Sequence, residues 1–281
     1  MTERPYDADI EAILARRHDN GADFWATPDG RLMKRSPFTT LDSAVMLPCL
    51  GMRLNDPVLQ DTAELIFSTQ RADGRFRVYP GGAIYPCHTI HAVRALCHLG
   101  HAEDVRLQKT FDHLLEIQHE DGGWRCLKFS FGRGPETLFS NPGPTLSALD
   151  AFRFTPTFNH SAALNRVVEF LLRHWETRAP LGPCHYGIGS LFMQVSFPFL
   201  TYNLFHYVHT LSFYDAAKGD PRFREALRAL QGKLQGGQVV VERPNAKLRN
   251  LACCKKGQPS ALATRSYREI LENIGEGGEA P

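Results

Sequence analysis

The sequence predicts an all-α protein made of about five helical hairpins stacked side by side. Three observations predict it. Apolar residues recur at helical spacing in successive segments, most regularly at Leu164, Val167, Val168, Leu171, Leu172 and Trp175. A punctuation of Asp, Gly and an aromatic residue closes several of these stripes. It reads Gln70-Arg71-Ala72-Asp73-Gly74-Arg75-Phe76, and again Gln118-His119-Glu120-Asp121-Gly122-Gly123-Trp124. The two marks stand about 48 residues apart, Asp73 to Asp121, a period at which one α-hairpin cannot bury its stripe alone and must stack on its neighbours.

The first pass has a short helix around Asp9 to Arg17 and a turn at Asp19-Asn20-Gly21 before Phe24-Trp25. A basic loop then leads to a helix from about Thr39 to Leu50, which Pro48 should kink or end. In the second pass Asp56-Pro57 is a start signal, because Asp caps free N–H groups and Pro fits the first helical position. Its second helix is expected over Cys87 to Leu99, closed by Gly100. The third pass carries Leu107, Phe111, Leu114, Leu115 and Gln118 on one stripe. Its second helix is expected from about Pro144 to Phe152. The fourth pass has worn punctuation at Arg178 to Gly182 and an aromatic helix expected over Pro198 to Tyr214. The fifth opens with Asp220-Pro221, carries a worn Gly236-Gly237, and ends in a helix from about Ser260 to Ile274. We therefore expect a single domain over residues 1–274, with 275–281 a frayed tail.

A helix followed by Gln-x-x-Asp-Gly-Gly-Trp and a loop into a second helix resembles the repeat of the protein prenyltransferase β subunits and the squalene and oxidosqualene cyclases. The resemblance spans essentially the whole chain. It implies an α/α toroid, with first helices outside, second helices inside and a central cavity, whereas periodicity alone also permits an open solenoid.

Composition narrows the function classes. Hydrophobic residues make up 43% and charged residues 22%, as in an ordinary globular protein. A net charge of +2 gives no reason to expect a nucleic-acid partner. No apolar run approaches the roughly 18 residues of a membrane span. The charged N-terminus lacks an apolar secretion segment, so a cytoplasmic location is expected. Seven cysteines in that setting point to thiols or metal ligands rather than a disulfide framework.

The active sites of the resembled families are the first comparison for chemistry. The cyclases' Asp-x-Asp-Asp acid has as its nearest counterpart Asp7-Ala8-Asp9-Ile10, misplaced and lacking the last carboxylate, which counts against triterpene cyclisation. Protein prenyltransferases hold zinc with an Asp-x-Cys pair on one inner helix and a His on the next. Tyr85-Pro86-Cys87-His88-Thr89 resembles the His-bearing helix start. Ser36-Pro37-Phe38-Thr39 stands where Asp-x-Cys is expected, so that metal site is not reproduced.

A different Cys/His set remains. Cys126, Cys184 and His185 precede the third and fourth inner helices, and His88 begins the second, which makes them candidate zinc ligands. Buried packing is the competing reading of these cysteines. Basic residues crowd the same loops: Arg31, Lys34, Arg35, Arg75, Arg77, Lys128 and Arg133, then Lys247, Arg249, Lys255 and Lys256. Of these, Lys34, Arg35 and Arg75 are candidate contacts for an anionic head group. Tyr202 and Phe205, among the aromatics of the fourth pass, are candidates to wall an apolar ligand or stabilise a carbocation. Asp42 and His91, one turn inside their helices, are candidate acid or base groups.

The expected function is a prenyltransferase- or terpene-cyclase-like protein that binds, and if catalytic transforms, an apolar or isoprenoid-like small molecule. The competing reading is a non-catalytic repeat protein that docks a protein partner. A glycan-processing toroid ranks last for want of facing carboxylates.

Overall fold

The computed structural model describes residues 5–126 and 130–276. The described residues are all-α, as expected. In chain order they form α1 (Asp7–Leu14), α2 (Thr40–Cys49), α3 (Pro57–Phe67), α4 (Pro86–His98), α5 (Val105–Glu116), α6 (Pro142–Phe152), α7 (Ala162–Thr177), α8 (Leu204–Leu211), α9 (Asp215–Lys218), α10 (Pro221–Gln231) and α11 (Ala261–Asn273). A two-stranded hairpin, β1 (Leu234–Gln235) with β2 (Gln238–Val239), lies between the last two. No described helix is long and apolar enough to cross a membrane.

The described residues fall into two compact units. One takes the chain up to Gln118 together with Asp150–Phe158, and the other takes His119–Leu149 and the chain from Asn159 onward.

In the first unit α2 packs on α1, α3 and α4, and α4 packs on α5. The carboxyl of Asp56 accepts a hydrogen bond from the Val58 N–H at 3.0 Å, capping α3 as Asp-Pro predicts. Asp104 does the same for α5. Pro48 is the penultimate residue of α2, so it marks that helix's end. The stripe of α5 is buried at Leu107, Phe111 and Leu114. The Phe111 ring meets Phe152 and Phe158 at 5.0 and 5.3 Å.

The Asp-Gly-aromatic turn has a physical logic that the first unit displays. Gly74 adopts φ +84°, and a Cβ there would stand 2.7 Å from the Lys109 carbonyl oxygen, so only glycine lets the turn rest on α5. The Thr110 hydroxyl donates to the Gly74 carbonyl at 2.7 Å, and the Gln70 amide donates to Arg106 and Thr110. Phe76 is fully buried, and its N–H donates to the Thr89 hydroxyl on α4.

The second unit repeats this. A Cβ on Gly122, at φ +99°, would lie 2.3 Å from the Arg166 carbonyl oxygen on α7. Trp124 is buried, and its N–H donates to the Thr145 hydroxyl of α6. Here α10 packs on α7 and α8, and α11 packs on α8.

Two elements depart from expectation. The helix expected over Pro198 to Tyr214 is shorter, because Asn203 caps it, its side chain accepting from the N–H groups of Phe205 and His206. The residues from Gly189 to Asn203 outside it are irregular, and Tyr214 precedes the separate α9. Gly236-Gly237 does not continue the hairpin repeat but turns β1 into β2. Both glycines have positive φ, +54° and +74°, as a tight two-residue turn requires.

Candidate functional site

In the first unit, Thr39 and Asp42 form the N-terminal turn of α2. The Thr39 hydroxyl accepts from the Asp42 N–H at 3.1 Å, and the Asp42 carboxyl hydrogen-bonds with the side chains of Ser36 and Thr39. Asp42 is half-buried, but protein closes around its carboxyl. Burial raises its pKa above the ordinary carboxylate value, and the hydrogen bonds and the Arg94 charge on α4 offset this only in part. The group is thereby biased towards the neutral acid.

Tyr79 shares this environment. Its phenol donates to the Met33 carbonyl at 3.1 Å. Burial raises its pKa first, Cys87 and Asp42 add to the shift, and Arg31 opposes it. His88, buried at the start of α4, is in contact with two phenol rings, with Tyr79 at 5.0 Å and Tyr85 edge-on at 5.2 Å. His91 is half-buried one turn further along α4.

Behind Asp42 lies a buried charge network with no counterpart in the expected site. Arg94 donates to Asp150 Oδ2 at 2.5 Å, Arg153 to Oδ1 at 2.7 Å, and His98 Nε2 lies 3.0 Å from Oδ2. Asp150 is 1% exposed. Burial pulls the His98 pKa down to about 4 against the pull of Asp150, leaving a neutral imidazole between two guanidinium groups. Arg94 thus anchors on one carboxylate while its charge acts on a second, Asp42. The signal in the sequence is a lone Arg inside Ile90-His91-Ala92-Val93-Arg94-Ala95-Leu96 and a lone Asp inside Leu146-Ser147-Ala148-Leu149-Asp150-Ala151. A charge in such a run needs a buried partner.

The expected anion-binding residues are distributed differently. Lys34 and Arg35 are exposed. Arg75 pairs with Asp73 in its own turn, at 2.9 and 2.7 Å, and its charge lies beside His113 of α5. Lys128 is outside the described residues.

In the second unit the Tyr202 hydroxyl and His174 Nδ1 are 2.8 Å apart, and His174 Nε2 is 3.0 Å from the Ala179 carbonyl. The carbonyl needs a donor, so Nε2 carries the hydrogen and Nδ1 accepts from the phenol. Burial lowers the His174 pKa to about 4. The Tyr202 ring also meets Phe192 at 4.8 Å and Tyr186 edge-on at 5.7 Å. Phe205 is fully buried against Phe199, with ring centres 4.8 Å apart.

The Cys126 and Cys184 side chains are hydrogen-bonded to each other. His185 is exposed and lies near Gly132 and Glu136. His88 belongs to the first unit. Among the described residues no group of three or more His, Cys, Asp or Glu side chains is gathered as a metal would need.

No family model matches the chain, and no curated protein matches it in sequence. Solved structures do. A type II terpene cyclase, MstE from Scytonema in its apo form, is 14% identical, with 96% of this chain and 76% of that chain covered and a TM-score of 0.47. A protein from Actinoplanes is 16% identical, with 96% and 82% covered and a TM-score of 0.42.

Proposed function

We propose that the chain binds an apolar, isoprenoid-like small molecule and that Asp42 serves it as a Brønsted acid. The observation that carries this reading is the carboxyl of Asp42, held towards its neutral form in the first turn of α2 by burial. A neutral carboxyl can give a proton to an alkene or another weakly basic group that an ionised one cannot. The Arg94 cation would then stabilise the carboxylate left behind. The phenol rings of Tyr79 and Tyr85 beside His88 supply aromatic faces suited to an apolar ligand or a developing carbocation.

The test uses the full-length protein and farnesol as a probe isoprenoid. Native mass spectrometry of protein purified without reconstitution should show a retained lipid-like ligand or a 1:1 farnesol complex. Asp42→Asn should bind farnesol comparably and abolish any conversion of it. If wild type neither retains nor binds such a molecule, the reading is wrong.

A specific observation favours a second reading, a non-catalytic protein-docking module. Phe131, Leu138 and Phe139 are 70%, 59% and 44% exposed within one short stretch of the second unit. If that reading holds, Asp42→Asn leaves function intact while charged substitutions at Phe131 and Leu138 abolish partner capture.

A further inference from the structure

Asn141 bonds both to Trp124 and to the turn from Leu181 to Tyr186. The Asn141 N–H donates to the Trp124 carbonyl at 3.0 Å, and its side-chain carbonyl accepts from the Cys184 N–H at 2.9 Å. Gly182 lies so close that a Cβ there would be 2.4 Å from Asn141 Oδ1. Asn141 is fully buried, directly before α6. This clamp sets the Cys126 and Cys184 side chains in hydrogen-bond contact. The two differ in access: Cys126 is 4% exposed, whereas Cys184 is only half-buried.

We propose that Cys126 and Cys184 form a two-electron redox site, in which Cys184 is the attacking thiol, Cys126 the resolving thiol, and a low-molecular-weight disulfide the oxidant. Two thiols supply two soft ligands where tetrahedral zinc takes four, and His185 beside them lies towards Gly132 and Glu136. Thiol–disulfide exchange, by contrast, needs only a pair in contact.

The first step is attack of the Cys184 thiolate on one sulfur of the oxidant. It forms a mixed disulfide and releases one thiolate. Cys126, losing its proton, then attacks the Cys184 sulfur, forms the intramolecular disulfide and expels the second thiolate. Two protein thiols are oxidised and one disulfide reagent is reduced to two thiols, so electrons and protons balance. The product covalently joins the two segments that hold Asn141 at the head of α6.

The Cys126 thiol and the Asn141 amide both lie against the Cys184 thiol. Burial, then the neighbouring thiol, pushes the Cys184 pKa up to about 11.

The experiment treats the protein with glutathione disulfide, followed by alkylation and peptide mapping. Expected in wild type is a Cys126–Cys184 linked peptide. Cys126→Ser should accumulate a glutathione adduct at Cys184, while Cys184→Ser should leave Cys126 unmodified. The proposal is overturned if both cysteines of folded wild type stay alkylatable while other thiols oxidise, or if the adduct forms first on Cys126. Wild-type mapping decides the matter alone should a variant fail to fold.

Discussion

Gly122 rests on the backbone of Arg166, where any Cβ would come within 2.3 Å of the carbonyl oxygen. Gly51, at a similar φ of +93°, has nothing within 4 Å of its would-be Cβ. The pair separates two costs of glycine replacement. Gly51→Ala should cost about 1 kcal/mol, the penalty of a left-handed backbone alone. Gly122→Ala should cost at least about 3 kcal/mol, because α7 or the turn must also move. Urea unfolding of both variants measures this, and equal costs would show that the turn does not bear on α7.

Trp124 closes the same turn, 1% exposed and with its N–H bonded to Thr145. Trp124→Ala should destabilise the fold by about 3 to 5 kcal/mol. An unfolding free energy within about 0.5 kcal/mol of wild type, the range of a neutral surface change, would rule out its role as a core plug.

The Asp150 network gives a third expectation. Removing the carboxylate charge leaves Arg94 and Arg153 buried without their counter-ion, so Asp150→Asn should cost about 3 to 5 kcal/mol. Lys218→Ala, which removes an ion pair to the exposed Asp215, should cost no more than about 0.5 kcal/mol. Chemical denaturation of the two variants compares them directly, and similar losses would mean that Asp150 is not the anchor of a buried network.

The repeat frame was legible in the sequence because its determinants are local. A glycine against the next helix, a buried aromatic and an Asp-Pro cap each leave a residue type at a fixed offset. The start of α8 was not, since Asn203 caps from inside an aromatic run whose composition reads as helix throughout. The place of Asp42 in the first turn of α2 was legible from the helix start, and the approach of Cys126 to Cys184 from their positions in loops that lead into helices; neither bears on a role for these residues. The partners of Arg75 were not, because an Asp two residues away captures it more cheaply than a distant ligand site. The Asp150–Arg94 pairing and the His174–Tyr202 bond join residues far apart in sequence, and only packing decides such matches.

Acid should act through His98 and His174. Both have folded-state pKa values near 4, below the usual 6.5, so the unfolded chain binds more protons between those values. Their contribution is complete above about pH 6.5 and is lost as pH falls through about 4. His174→Gln, which cannot be protonated there, should flatten the dependence of unfolding free energy on pH in that window. A slope identical to wild type would mean that His174 is already charged in the fold.

The most direct measurement is the carboxyl titration of Asp42 by carbon-13 NMR, assigned by difference against Asp42→Asn. The predicted midpoint lies above the ordinary value of 3.8, because burial outweighs the hydrogen bonds and the Arg94 charge. The linked sign follows: this group's contribution to stability is full below the unfolded-state value and declines as pH rises through the folded-state midpoint. A midpoint at or below 3.8 would make Asp42 an ordinary ionised carboxylate in the first turn of α2 and would contradict its role as an acid.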